Sequence, residues 1–185
     1  MSAGHGHGGG DHGGNKTIAL LISVLALVLA FSETLGKSAQ TAGLAYNIEA
    51  SNLWAFFQAK TIRQTVLRTA AEGAEAAGAA AEGQKKQIAK WKDTAQRYQS
   101  EPETNEGRDQ LAARAKEAEK KRDRSMAAYH HYEVASAAVQ IAIVLPSASI
   151  IAEIIALAWI GVGLGVLGVV FCVIGFFFPS AVHLF

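Results

Sequence analysis

Of the seventeen lysines and arginines in this chain, all but Lys16 lie between Lys37 and Arg124. Both flanks of that stretch are apolar. Residues 18–31 are apolar throughout except at Ser23, and residues 134–178 carry one formal charge, Glu153. The chain therefore has a charged, alanine-rich middle held between segments suited to hydrocarbon. A helix rises about 1.5 Å per residue, so about 20 apolar residues cross a hydrocarbon core roughly 30 Å thick. The partition predicts an all-α membrane protein: three transmembrane helices with a long helical hairpin or coiled-coil domain outside the bilayer.

The expected organisation follows from composition. Residues 1–15 form a Gly/His tail with no apolar periodicity, expected to be disordered. Residues 16–36 are the first transmembrane helix. They read as a retained anchor, because Glu33 and Lys37 replace a clean cleavage site. Residues 37–133 are the extramembrane helical domain, with a turn near 100–107 where Ser, Pro, Thr, Asn and Gly concentrate. Residues 134–178 are too long for one crossing. A split around Glu153 keeps that charge away from the midplane, where it costs about 2.5–3.5 kcal/mol. This gives a second helix over 134–151, a third over 155–178 and a C-terminal tail over 179–185.

Periodicity adds detail. In the middle region Leu44, Ile48, Ala55, Ala59, Ile62 and Val66 keep 3- and 4-residue spacing, with Ser51 filling one position and Trp54 and Phe57 widening the apolar face. Residues 72–83 hold three glycines among alanines and are the expected interruption. Ile88, Trp91, Ala95 and Tyr98 form a short heptad seam. Ser100 and Glu103 fit a capping box. Glu33 and Lys37 are spaced for an i, i+4 pair. In the last helix Ala158, Gly161, Gly165, Gly168, Cys172 and Gly175 fall at 3- and 4-residue gaps on one face. Small residues let helix backbones approach closely in lipid, so this face is an expected association face. Its partner is either the Ala/Ser stripe of the first helix or the same helix of another copy.

Residues 54–63 read W-A-F-F-Q-A-K-T-I-R. With this segment in view, the chain resembles a bacterial membrane family, domain of unknown function 4337, whose corresponding segment is W-A-[YF]-[YF]-Q-A-K-x-[IL]-[RK]. The His-rich tail, the His130-His131 pair and Gln140 to Val144 extend the likeness over nearly the whole chain. The resemblance implies architecture and a multi-pass location in the bacterial inner membrane, and no activity. The family carries basic residues between its second and third membrane helices, where this chain has only Glu153. Lys120, Lys121, Arg122 and Arg124 favour a cytoplasmic middle region. The resemblance favours the outer face, and the reading leans that way.

Candidate chemistry is sparse. His5, His7 and His12 in the tail, with His130 and His131, are the alternative metal or pH site, since neutral imidazole binds borderline metals and titrates near neutrality. Trp54, Phe57, Gln58, Lys60 and Arg63 are a candidate partner surface. The single cysteine, Cys172, excludes an intrachain disulfide. No nucleophile–base pairing or phosphate loop is present, and the net charge of +1 gives no electrostatic case for nucleic acid. The expectation is a non-enzymatic protein with no cofactor, no catalytic residues and no metal. Its partners are the lipid bilayer, further copies of itself and a membrane protein of unknown identity. It acts as an oligomeric scaffold or interaction module; the alternative is a metal- or pH-responsive sensor or transport-accessory subunit.

Overall fold

The structure, a computed structural model, describes residues 12–181. These form four helices and no strand: α1 (His12–Ala76), α2 (Glu82–Gln99), α3 (Arg108–Ala152) and α4 (Ile155–Phe177). The disordered-tail expectation falls on residues 1–11, outside the described residues, and on 12–15, whose backbone already belongs to α1. The great length of α1 follows from the absence of proline before Pro102. It ends at a glycine. Gly78 takes φ +74°, Ala79 N–H donates to the Ala74 carbonyl and Gly78 N–H to that of Glu75. This is a Schellman closure, which needs a left-handed residue that glycine supplies without strain.

Two compact units emerge: Ala42–Asp123, and Met1–Thr41 with Arg124–Phe185. In the first, α2 and α3 both run antiparallel to α1, one after the other. Lys92 on α2 meets Glu75, and Ala95 meets Gln64. Arg108 at the start of α3 also meets Gln64, then Glu119 meets Trp54 and Arg122 meets Asn47. The chain therefore reverses at 77–81. The turn at 100–107 was expected within a hairpin, but it is a joint where α2 hands over to α3 along the same side of α1. The Ser100–Glu103 capping box does not form. Asn105 at φ +59° breaks the path, α3 starts at Arg108, and the Ser100 hydroxyl accepts from Gln110. Gly107 is packed against Ser100, Glu101 and Gln110, leaving no room for a side chain.

The core of this unit is Ala50, Leu53, Leu111, Ala115 and Ala118, with Trp54, Phe56 and Phe57 against it. Ile88 and Ala95 of α2 are also buried. The stripe of Leu44, Ile48, Ile62 and Val66 is not part of this core. Those four side chains are exposed by 58% or more, because the inward face of α1 is the opposite one, through Ala50, Leu53, Phe57, Lys60 and Gln64.

The second unit is a three-helix bundle from the start of α1, the end of α3 and α4. Leu25, Val139 and Ala142 form its centre, with Leu21, Val28, Leu29, Ile143 and Leu164 around them. Ser32 and Ser136 hydroxyls lie 2.9 Å apart across α1 and α3. Outward-facing residues are large and apolar, among them Leu20, Phe31, Trp159 and Phe176. Three helices, α1, α3 and α4, are long and apolar enough to cross a membrane. Pro146 is inside α3 and buried. Between α3 and α4, Glu153 is exposed and takes φ +56°.

Candidate functional site

Polar groups are densest where α1, α2 and α3 meet. Gln64 is 2% exposed. Its amide nitrogen donates to the Ala95 carbonyl at 2.9 Å and to Gln99 Oε1 at 3.2 Å, and its amide oxygen accepts from Arg108. Arg108 also donates to Gln99 Oε1 at 3.0 Å, and its guanidinium lies 4.9 Å from the Phe57 ring centre. One amide thus ties α1 to the last turns of α2 and the first residue of α3. A buried primary amide left unpaired is costly, and here the donor and acceptor sides of Gln64 are both used.

Lys60 sits one helical turn before Gln64 and is 5% exposed. Its ammonium is 3.4 Å from Glu101 and 3.9 Å from Glu106, and 5.3 Å from the ring centres of both Phe56 and Tyr98. Burying a charge is tolerable only with such pairing. Arg97 hydrogen-bonds Glu101 from the other side. That bond holds the Glu101 carboxyl below the usual carboxylate range, and Glu101 in turn raises the Arg97 guanidinium. Trp54 donates its indole N–H to Glu119 at 2.9 Å and packs edge-on against Phe57.

The expected partner surface therefore divides. Trp54, Phe57 and Lys60 face the interior at 3-residue spacing, with Gln64 four residues on, while Gln58 and Arg63 are exposed. Lys60 is unavailable to an outside partner because it is committed to Glu101 and Glu106. The sequence reading missed Gln64, Gln99, Glu101 and Arg108. The signal for Gln64 was its i, i+4 relation to Lys60 on the tryptophan face. The others arrive through the 100–107 joint, which no local pattern links to residue 60.

The association face of α4 is occupied within the chain, chiefly by α3. A Cβ on Gly161 would come 2.7 Å from the Pro146 ring, and one on Gly168 would strike Val139 and reach the Ala135 carbonyl at 3.1 Å. Gly175 packs on His131 and Tyr132, and Gly165 meets Leu25 of α1. Ala158 is buried and Cys172 half-buried. Within the chain α3 supplies most of these contacts, because the short connection at Glu153 makes it the antiparallel neighbour, and Leu25 of α1 supplies the contact at Gly165.

His5 and His7 lie outside the described residues, as does the side chain of His12. His130 and His131 are not brought together, since successive helical residues point about 100° apart. His130 is partly exposed beside Glu133, at 3.7 Å. His131 is 1% exposed, stacks on Phe171 and has Nε2 3.2 Å from the Pro179 carbonyl oxygen. Its Nδ1 has no hydrogen-bond partner. Among the described residues no group of three or more His, Cys, Asp or Glu is placed to hold a metal ion. Glu33 accepts a hydrogen bond from Gln140 on α3 at 3.4 Å, across a cleft of about 500 Å³ that Ser32, Tyr132 and Ser136 also line. The expected ion pair of Glu33 with Lys37 does not form.

Comparison with curated proteins finds no match, and neither does comparison with solved structures. The profile of one family, described as Domain of unknown function (DUF4337), matches residues 14–178, which includes the W-A-F-F-Q-A-K segment and all four helices but the first two residues of α1. The chain belongs to that family.

Proposed function

We propose that this chain is a non-enzymatic integral protein of the bacterial inner membrane that works as an oligomeric scaffold or interaction module. Its α1, α3 and α4 cross the bilayer and residues 42–123 stand outside it as a coiled-coil hairpin. The observation that carries this reading is the use made of Lys60, Gln64, Glu101 and Arg108. These are the groups best suited to chemistry by burial and charge, and they are spent on fastening α2 and α3 to α1. A stiff, fastened hairpin on an apolar anchor is suited to presenting a surface. The hairpin faces the outer side, the orientation that the family resemblance favours.

The test is the mass of the full chain reconstituted in lipid nanodiscs from native membranes. An assembly of two or more chains, or a stoichiometric protein partner, supports the scaffold. A single chain with no partner at native abundance opposes it. The sensor alternative draws on one observation, the buried His131 imidazole held at the Pro179 carbonyl. Stoichiometric binding of a divalent metal by the purified chain would favour that alternative.

A further inference from the structure

The inward face of α1 repeats every seven residues, and so does the face opposite it. Ile48, Asn52, Ala55, Ala59, Ile62 and Val66 follow one another at gaps of 4, 3, 4, 3 and 4, and every one is exposed. Ile48, Ile62 and Val66 are exposed by 60% or more. The same register holds in the apolar first part of the helix, at Leu20, Val24, Leu27 and Phe31, all exposed. No charged residue falls on this register anywhere from Leu20 to Thr69. The outer positions of a lone two-helix hairpin in water are ordinarily charged. The other two helices follow that rule, with Lys86 and Lys90 exposed on α2 and Lys116 and Lys120 on α3. Of the helices in the Ala42–Asp123 unit, only α1 presents an uncharged seam outward.

We infer that this outer seam of α1 is the contact surface for a second copy of the same chain, joined in parallel about a two-fold axis. The inference rests on the scaffold reading and supplies its partner. Two observations select a second copy. First, a two-fold contact sets each seam residue against its own copy, so any charge there would meet its like. The seam has none, whereas a different partner could have used them. Second, the register is that of a coiled coil. Ala45, Asn52, Ala59 and Val66 take the a positions and Ile48, Ala55, Ile62 and Thr69 the d positions. Asn52 is the one amide at an a position, where a pair of asparagines can hydrogen-bond and fix register at some cost in stability. Two copies inserted alike in one bilayer begin their seams from the same end, which is the parallel sense.

The charges that flank the seam are Lys37 at a g position and Glu49 and Arg63 at e positions. Their parallel cross-partners are Ala42, Leu44 and Gln58, so no like charges are opposed.

The experiment uses the full chain in its membrane, with Cys172→Ala as background and a single thiol at Ala59 on the seam or at Lys90 on α2. Mild oxidation should join the Ala59→Cys chains into a product of twice the 19.5 kDa of one chain. Lys90→Cys should give about tenfold less. Adding Ile62→Lys should cut the Ala59→Cys product about tenfold, since it sets two ammonium groups against each other across the axis. Ile62 is 65% exposed, so the variant keeps its fold, and Ala55→Glu serves as a second disruption. Equal cross-linking at Ala59 and Lys90, indifference to both disruptions, or an Ala59 adduct of some other mass would each overturn the inference. The nanodisc mass of the wild-type chain separates the two levels. Two or more chains together with any of those results removes this surface and leaves the scaffold reading; one chain alone removes both.

Discussion

The amide of Gln64 on α1 donates to the backbone carbonyl of Ala95 on α2 at 2.9 Å, while its oxygen receives the guanidinium of Arg108 from α3. A single side chain thereby holds the end of one helix and the beginning of the next against a third. Gln64→Leu should leave Arg108 short of an acceptor in an enclosed place, at a cost of about 1.5–3 kcal/mol for a lost charge-assisted bond. Thermal unfolding followed by circular dichroism should show that loss. Gln58→Leu, on the exposed side of the same helix, should stay within about 0.5 kcal/mol of wild type.

Acid should loosen the same joint through Glu101. Its carboxyl is held below the usual range by Arg97, so the stabilisation is whole above the ordinary carboxylate pKa. It is lost as pH falls through the lowered value of the folded chain. Amide exchange in α2 should therefore accelerate in acid below the usual carboxylate range. Glu101→Gln should flatten that dependence while lowering stability at neutral pH.

Overpacking should test the α4 face. Gly168→Leu drives a side chain into Val139 and the Ala135 carbonyl, and should cost about 1–3 kcal/mol. Val166→Leu, at a position 59% exposed, should be nearly neutral. Detergent-resistance and melting measurements on both variants check the contrast, and oligomer size should not follow Gly168, because α3 already fills that face.

The reversal of the hairpin depends on Gly78 at φ +74°, with open space around its α-carbon. Gly78→Val should destabilise by about 1–2 kcal/mol through backbone strain alone. Gly73→Ala, a helical position with equal room, should be neutral or slightly stabilising. Comparison of the two melting curves isolates conformation from packing.

Orientation has its own test. In a Cys172→Ala background, a thiol at Glu103 should react with an impermeant reagent on intact cells, and one at Gly9 should not. The reverse pattern would assign the hairpin to the cytoplasm, as the basic cluster from Lys120 to Arg124 favours.

The helical class and the three apolar helices were legible because periodicity and charge partition are local properties. The break at Glu153 was legible for the same reason: a carboxylate inside a 45-residue apolar run has few tolerable positions. What sequence could not convey is which of two apolar faces turns inward. On α1 both faces repeat every seven residues, and the more hydrophobic one, with Ile48, Ile62 and Val66, is outside. The inner face was disguised by Lys60 and Gln64, residue types that ordinarily sit at the surface. Their partners lie 31 to 46 residues on, across a joint that resembles any surface turn. The α4 stripe was visible as a pattern, but pattern does not name a partner. Pro146, which fits against Gly161, belongs to a helix where it would otherwise be read only as a kink.

Gln64 also divides the hairpin into two arms of separate bookkeeping. Beyond it, α1 pairs with α2; before it, α1 pairs with α3. An insertion in one strand of either arm shifts every layer past it out of register unless the opposite strand grows by the same amount. Whole heptads of about seven residues preserve the inward face. Relatives of different length should therefore gain or lose residues in matched pairs. Growth would come as equal blocks in α1 and α2 at the tip, or in α1 and α3 at the base, with the Gln64 knot unchanged between them. The hairpin is in this sense a ruler with a fixed mark, whose reach can evolve at either end without redesigning the joint.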